Sequence, residues 1–404
     1  MGLFSQINII MIPVKTISHG GTLRPDNHHK MNSLIQQQRN LPSIKTGLEN
    51  IHCFVPSQTI QISTNGVIYV CGCPIFVPFP VANILDLESF EEVRELSTTK
   101  NIIGAITDRT YKYCDTYTCG LETHATRKDW PTHEKYPEHT AEDGTRLFRG
   151  QGDGLDTDEI WIAVGIDDSC NLQCPSCRLH KKDWNKIVDD QSKDIFNQLN
   201  ALHNHIKLLI NNYDKKAFIE FGATGDPFYS LATVNLISNL EYNPLHRYNF
   251  LTNGMSIKAV LPKLKILPSV ELIDISIDAA TKETHEKIRL GSNWNKVIDN
   301  VKWLLELPNR PKVMLNFTVQ NDNFREIIKF NELAIDELGV DNVTYTLYNQ
   351  WTHITDDIYA KNAVHLPTHP NHDEYKKILT IASQRNKDEA GRLSELRGLI
   401  RRIA

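Results

Sequence analysis

The 404-residue chain has no apolar run near its N-terminus long enough to cross a bilayer. The longest there, Ile7–Val14, has eight residues and is interrupted by Asn8 and Pro13, whereas a spanning helix needs about 20. A basic flank and a cleavage site like those of a secretory signal are also missing. Gln6 breaks the pattern that follows Met1-Gly2 in myristoylated chains. Nor is there a dominant charge: 44 Lys and Arg against 49 Asp and Glu leave −5, which favours neither nucleic acid nor membrane as a partner. No internal repeat or long low-complexity segment appears, and the last 227 residues contain no cysteine. What is present is globular in kind. Apolar residues make up 40% and charged residues 23%, which excludes a wholly disordered chain. At roughly 150 residues per domain, the length suggests two or three domains. The expectation is a soluble, cytoplasmic protein with no nucleic-acid partner and no membrane association.

All eight cysteines fall between residues 53 and 177. In a large chain without a secretory signal, close spacing reads as metal ligation rather than as a disulfide framework. The sharpest group is Cys170-Asn-Leu-Gln-Cys174-Pro-Ser-Cys177. Three thiolates on one tight loop can hold three corners of a cuboidal iron–sulfur cluster, for which four cysteines are the usual complement. With no fourth nearby, one iron is left open to a small molecule. The spacing alone also allows a zinc site completed by a remote ligand such as His180.

The loop has a telling context. Ile160–Ile166, just before it, is a short apolar run with strand character, and five more follow: Ala217–Gly222, Arg247–Leu251, Val270–Ile277, Lys312–Gln320 and Asn342–Tyr348. Helical patterns lie between them, as in Trp294–Leu307, where Val297, Val301, Leu304 and Leu305 recur at helical spacing, and in Phe324–Leu338. Such alternation means parallel βα units. Six units are too few for a closed eight-stranded barrel, so an open, partial (β/α)6 barrel is expected, with a hydrophobic interior. Functional residues in such folds sit on loops after the C-terminal ends of the strands. The cysteine loop follows the first strand, Gly222-Ala-Thr224-Gly225-Asp226-Pro227 the second, and Thr252-Asn253-Gly254 the third; the fourth ends in Ser276-Ile-Asp278. The glycines of the second loop suit a close backbone approach to a ligand.

In these motifs residues 158–350 resemble the radical SAM core, whose cluster motif is Cys-x3-Cys-x2-Cys. Gly222–Pro227 looks like a variant of the family's Gly-Gly-Glu-Pro motif, with Asp226 where Glu is common. Ser276 and Arg289 match positions that contact the ribose or carboxylate of S-adenosyl-L-methionine (SAM) in relatives. Ser176 stands where many members place an aromatic residue. The resemblance implies a 4Fe-4S cluster held by Cys170, Cys174 and Cys177, with one open iron. It further implies SAM bound by Gly222, Thr224, Gly225, Asp226, Pro227, Asn253, Ser276 and Arg289. A low-potential electron donor, flavodoxin- or ferredoxin-like, follows as a partner, and reductive cleavage of SAM to a 5′-deoxyadenosyl radical as the reaction.

A second cysteine group precedes the core. Cys53 and Cys71 flank Thr59-Ile-Gln-Ile-Ser-Thr-Asn65-Gly66-Val-Ile-Tyr-Val70, which alternates around Asn-Gly, a strong hairpin signal. Cys114 and Cys119 could complete four ligands, with Cys73 a spare thiol or a substitute; four-cysteine zinc fits the spacing too. Residues 51–121 resemble the SPASM/twitch domain of radical SAM enzymes, a small α+β module. The resemblance implies an auxiliary 4Fe-4S cluster here, although relatives usually carry the module after the core.

The remaining segments say less. Residues 1–50 read as a partly ordered arm, 122–158 as a linker, and 351–404 as a helical extension with a basic end. Gly150-Gln-Gly-Asp-Gly154 does not match a nucleotide loop, and His365, His369 and His372 read as an ordinary surface loop. The substrate, a peptide or protein or a small metabolite, is not legible. A non-catalytic zinc- or iron–sulfur-stabilised binding protein on a decayed barrel is the alternative, against which the retained loops argue.

Overall fold

A computed structural model describes residues 47–72, 76–114, 116, 119, 121, 141–143, 145–148, 158–178, 180–222, 224–350 and 354–385. Eleven strands are assigned among the described residues. In chain order they are β1 (Ile51–Cys53), β2 (Thr59–Ile62), β3 (Val67–Tyr69), β4 (Ala82–Asn83), β5 (Arg146–Phe148), β6 (Ile160–Val164), β7 (Ala217–Phe221), β8 (His246–Thr252), β9 (Val270–Ser276), β10 (Lys312–Val319) and β11 (Asn342–Leu347). Strands β6 to β11 pair side by side, all parallel, in sequence order. They correspond to the six runs read from the sequence and form the open (β/α)6 barrel.

Local signals fix the crossover helices. Asp190–Asn212 starts at a capping box between Asp189 and Ser192, Leu231–Ser238 at Ser230, and Trp294–Leu305 at Asn293, whose side chain accepts from Lys296 N. Each cap satisfies an N–H that the first helical turn leaves without a partner. Between β10 and β11 the chain runs from a 3-10 turn through a short α-helix into a π-helical turn at Glu332–Leu338, ended by Gly339 at φ 73°.

The two faces of the sheet differ in chemistry. Val313, Leu315, Phe317 and Val319 alternate inward along β10 and are fully buried, with Phe317 packed on helix residue Phe330 at 4.7 Å between ring centroids. In register with them lie Phe221, Phe250, Ile273, Ile275 and Val343. The face turned from the helices carries Glu220, Asn249, Asp274, Ser276, Asn316 and Thr344. The barrel interior therefore mixes these polar residues with Trp161, Phe218, Leu251, Leu272 and Met314 of the same face, and is not uniformly hydrophobic as expected from the apolar runs. Burial under the helices uses only every second residue of each strand.

The hairpin around Asn65-Gly66 forms, with Gln61 opposite Tyr69 and Ile62 opposite Ile68, and Asn65 takes the left-handed conformation at φ 62°. What local pattern did not foretell is where it goes. Strand β2 pairs in parallel with β6, from Thr59 opposite Trp161 to Ile62 opposite Val164, so β2, β3 and β4 extend the barrel sheet to nine strands. A Cβ on Gly66 would stand 2.7 Å from Leu202 of the first crossover helix, so the turn needs glycine for close packing as well as for its φ of 78°. The N-terminal segment is continuous with the core sheet at this point. Residues 1–46, Cys73 and the basic segment after Arg385 lie outside the described residues, as does most of 122–157.

Candidate active site

The cysteine loop leaves the C-terminal end of β6 and is tied down at several points. Cys170 N donates to Lys182 O at 2.9 Å, Gln173 N to Leu290 O at 2.9 Å, and Cys177 N to Cys174 O at 2.9 Å. Cys170 is buried, Cys174 half-buried and Cys177 exposed. N–H groups converge on the sulfurs: Leu172 N at 3.4 Å and Asn253 Nδ2 at 3.7 Å from Cys170 Sγ, and Arg178 Nη2 at 3.5 Å from Cys177 Sγ. Burial, and then the charge of Asp226, push the Cys170 thiol up; burial pushes Cys174 up to about 11 against the opposing charge of Arg289. Each of these two thiols also feels the charge of Cys177. Metal ligation replaces the protons of such thiols.

Arg178, which the sequence reading passed over, stitches the loops together. It donates to Asp168 O at 2.7 Å and to Thr224 O at 2.8 Å as well as to the Cys177 sulfur. Burial opposes its charge, while the sulfurs of Cys177 and Cys170, once ionised on a metal, favour it. Asp168 in turn accepts from Lys182 Nζ at 2.5 Å and Trp184 Nε1 at 2.6 Å. The only sequence signal for Arg178 was its place beside Cys177.

The loop after β7 holds its expected residues in tight protein contacts. Thr224 Oγ1 donates to Gly165 O at 3.0 Å. Asp226 is buried; its carboxylate accepts from Thr252 Oγ1 at 2.9 Å, Asn253 N at 2.8 Å and Phe228 N at 3.0 Å. It thus clamps the loop after β7 to the loop after β8. The close approaches of the glycines are also to protein. A Cβ on Gly222, at φ 121°, would stand 2.2 Å from Leu251 O, and one on Gly225 would stand 2.4 Å from Asp167 O. Pro227 is buried beside them.

Asn253 Nδ2 donates to Asn171 Oδ1 at 2.7 Å, so the loop after β8 reaches the cysteine loop directly. Ser276, the last residue of β9, is half-buried, and its hydroxyl has no partner among the described residues. Arg289 is buried and paired with Asp278, with Nε and Nη2 each 2.9 Å from Oδ2. Burial disfavours its charge; Asp278, and then Cys174 once ionised on a metal, more than compensate. Asp278 sits at φ 59° and accepts from Thr318 N at 2.6 Å. The sequence reading did not assign Asp278, although a buried arginine calls for a carboxylate partner.

In the N-terminal group, Cys71 and Cys114 are buried and Cys53 and Cys119 half-buried. Burial raises the Cys53 thiol well above the usual range, and the charges of Cys71, Cys114 and Cys119 add to the effect, so the four lie within electrostatic reach of one another. Tyr111, beside them, donates to Ile51 O at 2.5 Å. Among the described residues, no three His, Cys, Asp or Glu side chains are grouped as tightly as one metal ion requires. The three C-terminal histidines do not converge. His369 Nε2 bonds Lys361 O, His372 Nδ1 bonds Val364 O, and His365 Nε2 bonds Tyr359 OH.

The donor set fits an iron–sulfur cluster in its chemistry: three thiols on one anchored loop, with N–H donors and two arginines beside them. Residues 166–334 match the Radical SAM superfamily model. It is 25% identical over 182 residues to a probable GTP 3′,8-cyclase of Saccharolobus islandicus, covering 45% of this chain and 54% of that one. Over 184 residues it is 31% identical to a protein of the same description from Saccharolobus solfataricus, with the same coverage. A molybdenum cofactor biosynthesis protein 1 of Drosophila melanogaster is 24% identical over 190 residues, 45% of this chain and 31% of its own. The chain thus spans about half the length of the first of these relatives. Among solved structures, SuiB of Streptococcus suis aligns at a TM-score of 0.36 and 15% identity, over 70% of this chain and 60% of its own. No helix among the described residues is long and apolar enough to cross a membrane.

Proposed function

We propose that the protein is a radical SAM enzyme that reductively cleaves SAM and uses the resulting radical on a peptide or small-molecule substrate. The observation that carries this reading is the cysteine loop itself. Cys170, Cys174 and Cys177 leave the first barrel strand inside the matched region, with N–H donors aimed at two of the sulfurs. These three residues would hold a 4Fe-4S cluster with one open iron. When bound, the cluster supplies the electron that splits SAM into methionine and a 5′-deoxyadenosyl radical able to abstract hydrogen. The chain's own part is to orient and exclude. Ser276 offers an unpartnered hydroxyl and Arg289 a buried positive charge for the methionine or ribose end. Asp226 and Arg178 keep the three loops in fixed relation. Asp226 acts in this reading through Thr252 and Asn253, since its carboxylate is already filled by protein donors.

Cys53, Cys71, Cys114 and Cys119 would hold an auxiliary cluster in a SPASM/twitch-like segment placed ahead of the core. A flavodoxin- or ferredoxin-like donor would supply electrons in the cytoplasm. The test is anaerobic iron–sulfur reconstitution followed by dithionite and SAM. Formation of 5′-deoxyadenosine is expected; zinc without iron and no SAM cleavage would leave a binding protein on a decayed barrel. Iron counting and Mössbauer spectra of the Cys170/Cys174/Cys177→Ala triple variant test the second site. One remaining cluster is expected there, and zinc or no metal would remove the auxiliary cluster from the reading.

A further inference from the structure

Strand register lines up Gln61 on β2, Ala163 on β6, Glu220 on β7 and Asn249 on β8, so all four share the polar face turned from the helices. Asn249 is only 5% exposed, and its Nδ2 donates to Glu220 Oε2 at 2.9 Å. That bond fixes the amide orientation and leaves Asn249 Oδ1 buried with no partner; Gln61 Oε1 is likewise buried without one. A buried acceptor without a donor costs about 1–3 kcal/mol, and two lie here beside a carboxylate. Burial pushes Glu220 up to about 7, only partly offset by the Asn249 bond.

The charges around this row supply no cation for it. On β6 to β9 the other charged residues of this face are Arg247 and Asp274. Arg247 is tied to Glu159 and Glu271. The row is therefore rich in acceptors, two unpartnered amide oxygens and a carboxylate, against one unpartnered buried N–H on the same face, Trp161 Nε1.

We propose that Gln61, Glu220 and Asn249 form a specificity site for a substrate group rich in N–H donors, an amine or a guanidinium. The inference rests on reading the barrel as a radical SAM active centre, since it names the class of substrate that centre would take. An amine or guanidinium donates to Gln61 Oε1 and Asn249 Oδ1 and neutralises Glu220; a phosphate or carboxylate meets the Glu220 carboxylate and those two oxygens, with Trp161 Nε1 the one unpartnered donor on this face.

The experiment uses reconstituted protein under anaerobic conditions and equilibrium dialysis with agmatine, which carries both an amine and a guanidinium. Glutarate serves as the anionic control. A capped Gly-Arg-Gly peptide separates a peptide side chain from a free amine, and binding of either cationic probe supports the site. Saturable agmatine or peptide binding is expected, tighter by roughly tenfold at pH 8 than at pH 6 as Glu220 ionises. Glu220→Gln should weaken it about ten- to a hundredfold and remove the pH dependence; Asn249→Asp, which adds a carboxylate of the same shape, should strengthen it. Glutarate binding in place of the cations, wild-type affinity in Glu220→Gln, or no saturable binding of either cation overturns the proposal. Formation of 5′-deoxyadenosine by the same wild-type preparation is scored separately. Its absence fails the radical SAM reading without altering what dialysis says of the acceptor row.

Discussion

The two ends of the barrel use charge in opposite ways. At the N-terminal end, Arg247 on β8 donates through Nε and Nη2 to both oxygens of buried Glu159, at 2.9 and 2.6 Å, and through Nη1 to Glu271. A register shift between β8 and β9 leaves Glu271 out of the ladder, where it meets Arg247, and the Phe218 ring lies 5.1 Å from the guanidinium. These charges largely cancel one another, with Lys312 Nζ 3.9 Å from Glu271 Oε1 at the same end. At the C-terminal end, Arg178 and Arg289 stand beside the thiols, Asp226 clamps two loops, and the Ser276 hydroxyl has no partner among the described residues. Similar residue types thus close one end and leave the other ready to bind. The lesson is that in this fold the place of a charge along its strand says more about its role than its identity does.

The comparison breaks first at the cysteines. Cys174→Ala should abolish 5′-deoxyadenosine formation, because the loop holds no replacement thiol, while the urea midpoint of the metal-free protein stays near wild type. Retained SAM cleavage at the wild-type rate would remove the loop from the chemistry. The mirror experiment is Arg247→Met, which strands Glu159 at 4% exposure. Stranding a fully buried partner costs about 3–5 kcal/mol; Arg247 is itself 36% exposed, so about 2–3 kcal/mol is expected. That loss should appear in urea unfolding with SAM affinity unchanged. A shift in SAM affinity instead would show that the two ends are coupled.

A finer cut falls within the C-terminal end. Arg289→Ala should weaken SAM binding about ten- to a hundredfold, the worth of one charge-assisted hydrogen bond to a ligand. Asp278→Asn should weaken it less, since the arginine keeps its charge and loses only a positioning contact. Isothermal titration with SAM on both variants, at matched iron content, gives the order. Unaltered binding in Arg289→Ala would make the Arg289–Asp278 pair a structural contact like the one at the opposite end.

Much of this was legible in the sequence, and the rest was hidden for identifiable reasons. The six strands and the loops after them follow from local alternation and turn chemistry, and the radical SAM motifs lie on those loops. The polar residues of the interior were missed, although Lys312-Val-Met-Leu-Asn-Phe-Thr-Val319 alternates at period two, the mark of a strand with only one apolar face. The parallel pairing of β2 with β6 was not legible, because just over a hundred positions separate partners, from Thr59 and Trp161 to Ile62 and Val164, that carry no complementary signal. The same holds for Asp226. Its motif suggested a ligand contact, whereas three protein donors fill its carboxylate, and only the spatial neighbourhood of Thr252, Asn253 and Phe228 reveals that. Arg289 and Asp278 are close in sequence, yet their pairing needs the left-handed turn at Asp278 to bring the carboxylate round.

The smallest effect concerns His285, buried behind the same turn. Its Nδ1 lies 2.7 Å from Ile277 O and must donate to it, so Nε2 accepts from Ser292 Oγ at 2.8 Å and the ring is neutral. Burial, and then the charge of Arg289, lower its pKa from 6.5 to about 4. The sign follows directly. As pH falls below 6.5 the unfolded chain takes up a proton that the folded chain refuses, so stability is lost between 6.5 and about 4 and levels off below. Between about pH 7.5 and pH 5.5 this amounts to about 1.4 kcal/mol. Urea unfolding at both pH values, in wild type and in His285→Gln, isolates the contribution as the difference between the two losses. The variant should lose less, because it has no imidazole to protonate in either state. Equal losses would mean that the folded protein admits the proton, and that the turn carrying Asp278 and Arg289 opens more easily than its hydrogen bonds imply.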